Sequence, residues 1–132
     1  STDSEFALCY LLDQLKETYS KRPKGQAALF SKMHEILNEI SEYGIFNVLM
    51  SDSNYLYCYC STKLCWITRR APFGVAALKD DDVQINFKDE TTPNDVVSVV
   101  ATVPLTTNEE WNIMSKGELI VFKKGEMVAK FW

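Results

Sequence analysis

Apolar residues recur at three- and four-residue steps through the first third of the chain, then at two-residue steps or in short runs. In STDSEFALCYLLDQLKETY, the positions Leu8, Leu11, Leu12, Leu15 and Tyr19 make one stripe, which predicts a helix at the head of the chain. Thr2 followed by Glu5 has the spacing of a capping box, in which the hydroxyl accepts from the amide three residues on. Asp3 and Glu5 add negative charge to the first turn, where the helix dipole favours it. KRPKG stops this helix, because Pro23 disfavours a helical Arg22. A second helix is predicted from about Gln26 to Tyr43, with Leu29, Met33, Ile36, Leu37 and Ile40 on its apolar face and Gly44 as its cap.

From there the period changes. IFNVLM and YLYCYC flank SDSN, a hairpin signal. LCWITRR follows, with APFG as a turn. DDDVQINF alternates, with Val83, Ile85 and Phe87 on one face, and DVVSVVATV is a β-branched run of the kind expected in a strand buried on both faces. GELIVFKKGEMVAKFW predicts a hairpin centred on Gly125, and TTNEEWNIMSKG a turn. The order is two helices and then six or seven mostly antiparallel strands, an α+β fold with segregated layers. The helices cover one sheet face. No further helix is available for the other, which suggests that another part of the domain covers it.

The length of 132 residues fits one domain. A net charge of −4 argues against a nucleic-acid surface, and the only basic cluster, Lys21 to Lys24, falls where a helix should end. No apolar run reaches the roughly 18–20 residues of a membrane span, and the head is polar and acidic, unlike a signal peptide. The four cysteines, Cys9, Cys58, Cys60 and Cys65, read as reduced thiols of a cytoplasmic protein. The chain begins within a strong helix signal and without an initiator methionine, so a fragment or a processed chain is expected.

Candidate chemistry is sparse. Cys58 and Cys60 would share one strand face with Cys65 nearby, but the spacing lacks the paired C-x₂-C pattern of zinc sites, and no metal or cofactor is expected. His34, at the edge of the second helical stripe, reads as structural. The Asp80 to Asp82 run and the Asp89–Glu90 pair read as solvated turns. Arg69 and Arg70 should point to opposite faces of a strand and form surface ion pairs. Ser1 could act as an N-terminal nucleophile, but it sits beside a helix cap rather than at the start of a strand.

Several stretches resemble one family. TDSE at a helix head, NVLMSDSNYLYCYC, WITRRAPFG and TTPNDVVSVVATVPLTTNEEWNIMSKGELIVFKKGEMV are similar to the C-terminal half of class II glutamine amidotransferases, of the stand-alone bacterial amidotransferase-like kind. The resemblance covers nearly the whole chain. It implies half of an αββα sandwich of the N-terminal-nucleophile hydrolase type, with residues 1–132 as the C-terminal portion of one domain. It also implies hydrolysis of the side-chain amide of glutamine or a γ-glutamyl compound by an N-terminal cysteine. That cysteine, the family's substrate-binding arginine and its Asn-Gly pair would lie in an N-terminal half that this chain does not contain. The 132 residues alone should therefore be inactive. The aspartate of the TDSE-type motif corresponds to Asp3, which by resemblance binds the α-ammonium of the substrate. The alternative is a non-catalytic binding domain of the same fold.

Overall fold

The computed structural model describes residues 2–21, 23–79, 84–86 and 92–132. In chain order they form α1 (Asp3–Thr18), α2 (Gln26–Ser41), β1 (Val48–Ser51), β2 (Leu56–Cys60), β3 (Cys65–Arg70), β4 (Val75–Ala77), β5 (Gln84–Asn86), β6 (Val96–Ala101), β7 (Asn112–Ile113), β8 (Glu118–Lys123) and β9 (Glu126–Phe131). The fold is α+β, with two helices on antiparallel sheets.

The helix starts follow the expected chemistry. The Thr2 side chain accepts from the Glu5 amide at 3.2 Å and caps α1. α2 ends at Ser41 with Glu42 as its cap, so Gly44 lies two residues beyond the cap it was expected to provide. In α1 only Leu11 is fully buried, while Leu8 and Leu12 stay exposed. The expected stripe was too wide, because neighbouring residues are turned by about 100° around the axis and one packed face cannot take both. α2 buries Phe30, Met33, Ile36 and Leu37.

The first sheet has the order β1-β2-β8-β9 and the second β6-β3-β7, with β4 and β5 forming a separate pair. Every pairing is antiparallel. β2 and β8 occupy the centre and alternate cleanly between two cores. Tyr57, Tyr59, Leu119 and Val121 point at the helices, where Leu11, Phe30, Met33, Ile36 and Leu37 meet them. Cys58, Cys60, Ile120 and Phe122 point the other way, against Leu64, Met114, Trp66 and Val100. The rings of Trp66 and Phe122 meet edge to face at 5.5 Å.

The second face of the helix-covered sheet is met, at its centre, by other strands of this chain. The strands fall into three sheets, and Trp66 of β3 and Val100 of β6 pack on that face over β2 and β8, while Leu49 of β1 and Met127 and Val128 of β9 stay exposed. The layers run helices, sheet, sheet. The reading of the Val96–Ala101 run is corrected. β6 is an edge strand with no fully buried residue: five of its six residues are half-buried and Val97 is exposed. The alternation of Val83, Ile85 and Phe87 and the acidic positions at 80–82 and 89–90 lie wholly or partly outside the described residues.

Close polar contacts join the layers. The β8–β9 hairpin turns through Lys124 and Gly125, both with positive φ (49° and 79°), the signature of a type I′ turn. Its tip rests on β6, where the Ser98 hydroxyl donates to the Gly125 carbonyl at 2.6 Å. On the helix side, His34 Nε2 lies 2.7 Å from the Gly117 carbonyl and so carries the proton of that bond. The Tyr59 hydroxyl donates to Asn38 Oδ1 at 2.7 Å. His34 is thus half-buried and structural, as its position at the stripe edge suggested.

Candidate functional site

Asp3 stands at the first turn of α1, on the rim of a groove of about 520 Å³. Phe6, Ala7 and Tyr10 continue its wall along α1 at steps of three and four from Asp3, the spacing that puts side chains on one helix face. Ile40 of α2 and the segment from Tyr43 to Phe46 form the opposite wall. Among the described residues lining the groove, Asp3 is the only acidic or basic one.

Local structure fixes both walls. The Thr2 cap sets the first turn, and the Phe6 amide reaches the Thr2 carbonyl at 3.0 Å. The Tyr10 hydroxyl donates to Glu39 at 3.2 Å and ties α1 to α2. Burial and this carboxylate both raise the Tyr10 phenol above its usual range, so it stays protonated and can donate. Beyond α2, the Phe46 amide donates to the Ser61 hydroxyl at 2.7 Å. Asn47 Oδ1 accepts from the amides of Ser61, Thr62 and Lys63 at 2.9, 3.0 and 3.2 Å. The floor of the groove is thus bolted to the β2–β3 turn, while its lip stays in water. Phe6 is 74 % exposed, Tyr43 92 % and Ile45 80 %.

The other candidates fall elsewhere. The four cysteines are free thiols, and none lines the groove. Burial raises the thiols of Cys60 and Cys65 and pushes Cys58 up to about 12, which removes them from nucleophilic duty near neutral pH. Cys58 and Cys60 share one strand face, as expected, but with Ile120 and Phe122 that face packs against Leu64, Met114, Trp66 and Val100.

Arg69 and Arg70 also serve as braces. Arg69 Nε and Nη2 grip Glu109 at 2.8 and 2.6 Å, and Thr106 donates to the same carboxylate at 2.9 Å. The Arg69 guanidinium lowers the Glu109 carboxyl first, and Thr106 assists, against the opposing effect of burial. Trp111 Nε1 donates to Thr106 in turn at 2.9 Å. Arg70 makes a two-pronged pair with Glu126. The two arginines do point to opposite faces of β3, but Arg69 is mostly buried rather than a surface residue.

The aromatic companions of Asp3 were not expected from sequence. Phe6 and Tyr10 carried a signal, since they repeat at helical spacing from Asp3. The Tyr43–Phe46 wall carried none, because some forty residues separate it from Asp3 along the chain.

Comparison with known proteins bears on the fold and the family. A family model described as glutamine amidotransferases class-II matches residues 1–131. "Putative glutamine amidotransferase YafJ" of Escherichia coli (strain K12) is 52 % identical over 128 residues, covering 97 % of this chain and 50 % of that protein. A similarly named protein of Haemophilus influenzae is 38 % identical over 130 residues, covering 98 % of this chain and 44 % of the relative. The crystal structure of a "predicted glutamine amidotransferase" from Pseudomonas aeruginosa superimposes with a TM-score of 0.83 at 44 % identity, over 98 % of this chain and 51 % of that one. The chain spans about half the length of the curated relatives it matches. Layers, sheet order and nearly every residue fall within one family, and the chain belongs to the class II glutamine amidotransferases.

Proposed function

We propose that the polypeptide carrying this segment hydrolyses the side-chain amide of glutamine or a γ-glutamyl compound, and that these 132 residues form the C-terminal portion of its single catalytic domain. The nucleophilic cysteine belongs to the N-terminal portion, and its own α-amino group serves as base. Asp3 binds the α-ammonium of the substrate. The observation that carries this reading is the position of Asp3, at the capped head of α1 and as the only acidic or basic residue among the described residues that line the groove. A carboxylate there makes a charge-assisted hydrogen bond to an ammonium, shorter and stronger than a neutral one. Neither nucleic acid nor membrane enters the reaction. Among the described residues no helix is long and apolar enough to cross a membrane. The reading takes the enzyme to be cytoplasmic.

Glutamine hydrolysis by the full-length polypeptide, followed as ammonia release, tests this. Asp3→Ala removes the ammonium's partner, which is worth about 1.5–3 kcal/mol for a charged hydrogen bond. It should raise KM by roughly ten- to a hundredfold, using 1.4 kcal/mol per factor of ten. An unchanged KM would refute the role of Asp3. A second reading, a binding domain without hydrolysis, is favoured by the thiols, three of which are buried and none of which faces the groove. Glutamine binding by the full-length polypeptide without ammonia release would select it.

A further inference from the structure

We infer that Tyr10 and Glu39 are positioning residues for substrate binding: their hydrogen bond fixes the roll of α1 about its own axis, and so the direction in which the Asp3 carboxylate points. This inference rests on the role of Asp3 given under the proposed function.

The two helices are held very differently. α2 buries Phe30, Met33, Ile36 and Leu37 against the first sheet. Polar contacts lock it further. The Tyr59 hydroxyl donates to Asn38 Oδ1 at 2.7 Å and lies 3.0 Å from the Ser41 hydroxyl, and His34 meets the Gly117 carbonyl at 2.7 Å. Glu39 therefore stands on a fixed post. α1 buries only Leu11, with Ala7, Gln14 and Leu15 half-buried on the same side. Apolar contacts of this kind are non-directional and resist a small roll of the helix only weakly. Among the described residues, the one hydrogen bond that leaves Asp3–Thr18 for another element runs from the Tyr10 hydroxyl to Glu39 Oε2, at 3.2 Å. The Tyr19 hydroxyl reaches the Ala28 carbonyl at 3.2 Å, but Tyr19 is already outside the helix, at an extended cap.

Roll matters because of where Tyr10 lies. It follows Asp3 by seven residues, which at about 100° each is some 20° short of two full turns, so both side chains project from one face. Both line the same groove. The helix between them is a stiff shaft about 10 Å long. The Thr2 cap, 3.2 Å from the Glu5 amide, fixes the Asp3 turn to that shaft. With the carboxylate about 5–6 Å from the axis, a roll of about 10° moves it by about 1 Å. A charge-assisted hydrogen bond of about 2.8 Å is lost when stretched that far. The Tyr10–Glu39 bond acts through Asp3 in this way without touching substrate.

Glutamine hydrolysis by the full-length polypeptide tests this. Tyr10→Phe removes the hydroxyl and keeps the ring. It should forfeit about half of the Asp3→Ala loss in free-energy terms, which raises KM about three- to tenfold, with kcat changed by less than about twofold. A mere loss of folded enzyme would lower kcat and leave KM alone, so the split separates positioning from stability. Glu39→Leu removes the acceptor instead and should give the same split, which keeps the test open should Tyr10→Phe fold poorly. In an Asp3→Ala background no carboxylate is left to aim, and Tyr10→Phe should then change KM by less than about twofold. An unchanged KM in Tyr10→Phe and Glu39→Leu would overturn the inference. So would a Tyr10→Phe effect that persists in full beside Asp3→Ala. The functional reading fails differently, through an unchanged KM in Asp3→Ala itself; a raised KM there with wild-type KM in Tyr10→Phe and Glu39→Leu removes the positioning role alone.

Discussion

A single methyl group at the tip of the β8–β9 hairpin should be among the most damaging small changes available to this chain. Gly125 has φ +79°, and a Cβ there would lie 2.4 Å from the Val96 carbonyl oxygen and 2.9 Å from its carbon. Ordinary contact begins at 3.4 Å, so tip and strand must part by about 1.0 Å (3.4 − 2.4). The obstacle is backbone of β6, which cannot swing aside like a side chain. A shift of that size stretches the 2.6 Å bond from Ser98 to Gly125 beyond reach. The left-handed backbone costs an alanine about 1–2 kcal/mol. The lost hydrogen bond adds about 1 kcal/mol. Gly125→Ala should therefore destabilise by about 2–4 kcal/mol, or roughly 10 °C in Tm for a chain of this size. Gly117→Ala is the matched control. Its φ is +84°, but the nearest atom to a new Cβ is Asn38 Oδ1 at an ordinary 3.6 Å, so only the backbone cost of about 1–2 kcal/mol applies. Urea unfolding followed by tryptophan fluorescence, with Trp66 packed on Phe122 as reporter, compares the two. Equal losses for both variants would refute the close-approach argument.

Other expectations follow from the same contacts. Thr2→Ala removes the α1 cap and should cost about 1 kcal/mol in urea unfolding; a loss below about 0.3 kcal/mol would mean that the cap does not hold the helix start. Native protein treated with a thiol reagent should label Cys9 quickly and Cys58, Cys60 and Cys65 only on unfolding, since Cys9 alone is exposed and burial raises the other three thiols; fast labelling of two or more thiols would contradict the packing. The Glu109 carboxyl is lowered in the folded state, so its contribution is complete above the unfolded value of about 4.3 and fades as pH falls below it. Glu109→Gln should accordingly flatten the acid limb of the stability–pH curve, and an unaltered limb would show that the Arg69 pair is not linked to folding.

The helices and the hairpin were legible for local reasons. Thr2 and Glu5, Pro23, and Lys124–Gly125 act within four residues of themselves, and their chemistry is written in their spacing. The split into separate sheets was not legible. Whether β2 pairs with β3 or with β8 depends on which side chains meet across sixty residues of chain, and YLYCYC and LCWITRR look alike as strands. The reading of DVVSVVATV failed because β-branched composition reports strand preference and not how many faces are covered. Asp3 could be singled out only through a motif. Its aromatic surroundings arise from the meeting of the two ends of α1 and α2, which no local pattern encodes.

Arg69 and Arg70 are consecutive residues that pull in opposite directions. One guanidinium reaches Glu109 in a largely buried pair, on the segment that runs alongside β4 through the Leu78–Thr106 bridge. The other reaches Glu126 in an exposed pair, just past the turn of the β8–β9 hairpin. They act as opposed guy lines anchored on a single peptide link. Both attachments are made from adjacent residues of one strand, β3. Two regions distant in sequence, residues 104–111 and 123–126, are thereby moored to one short stretch of backbone.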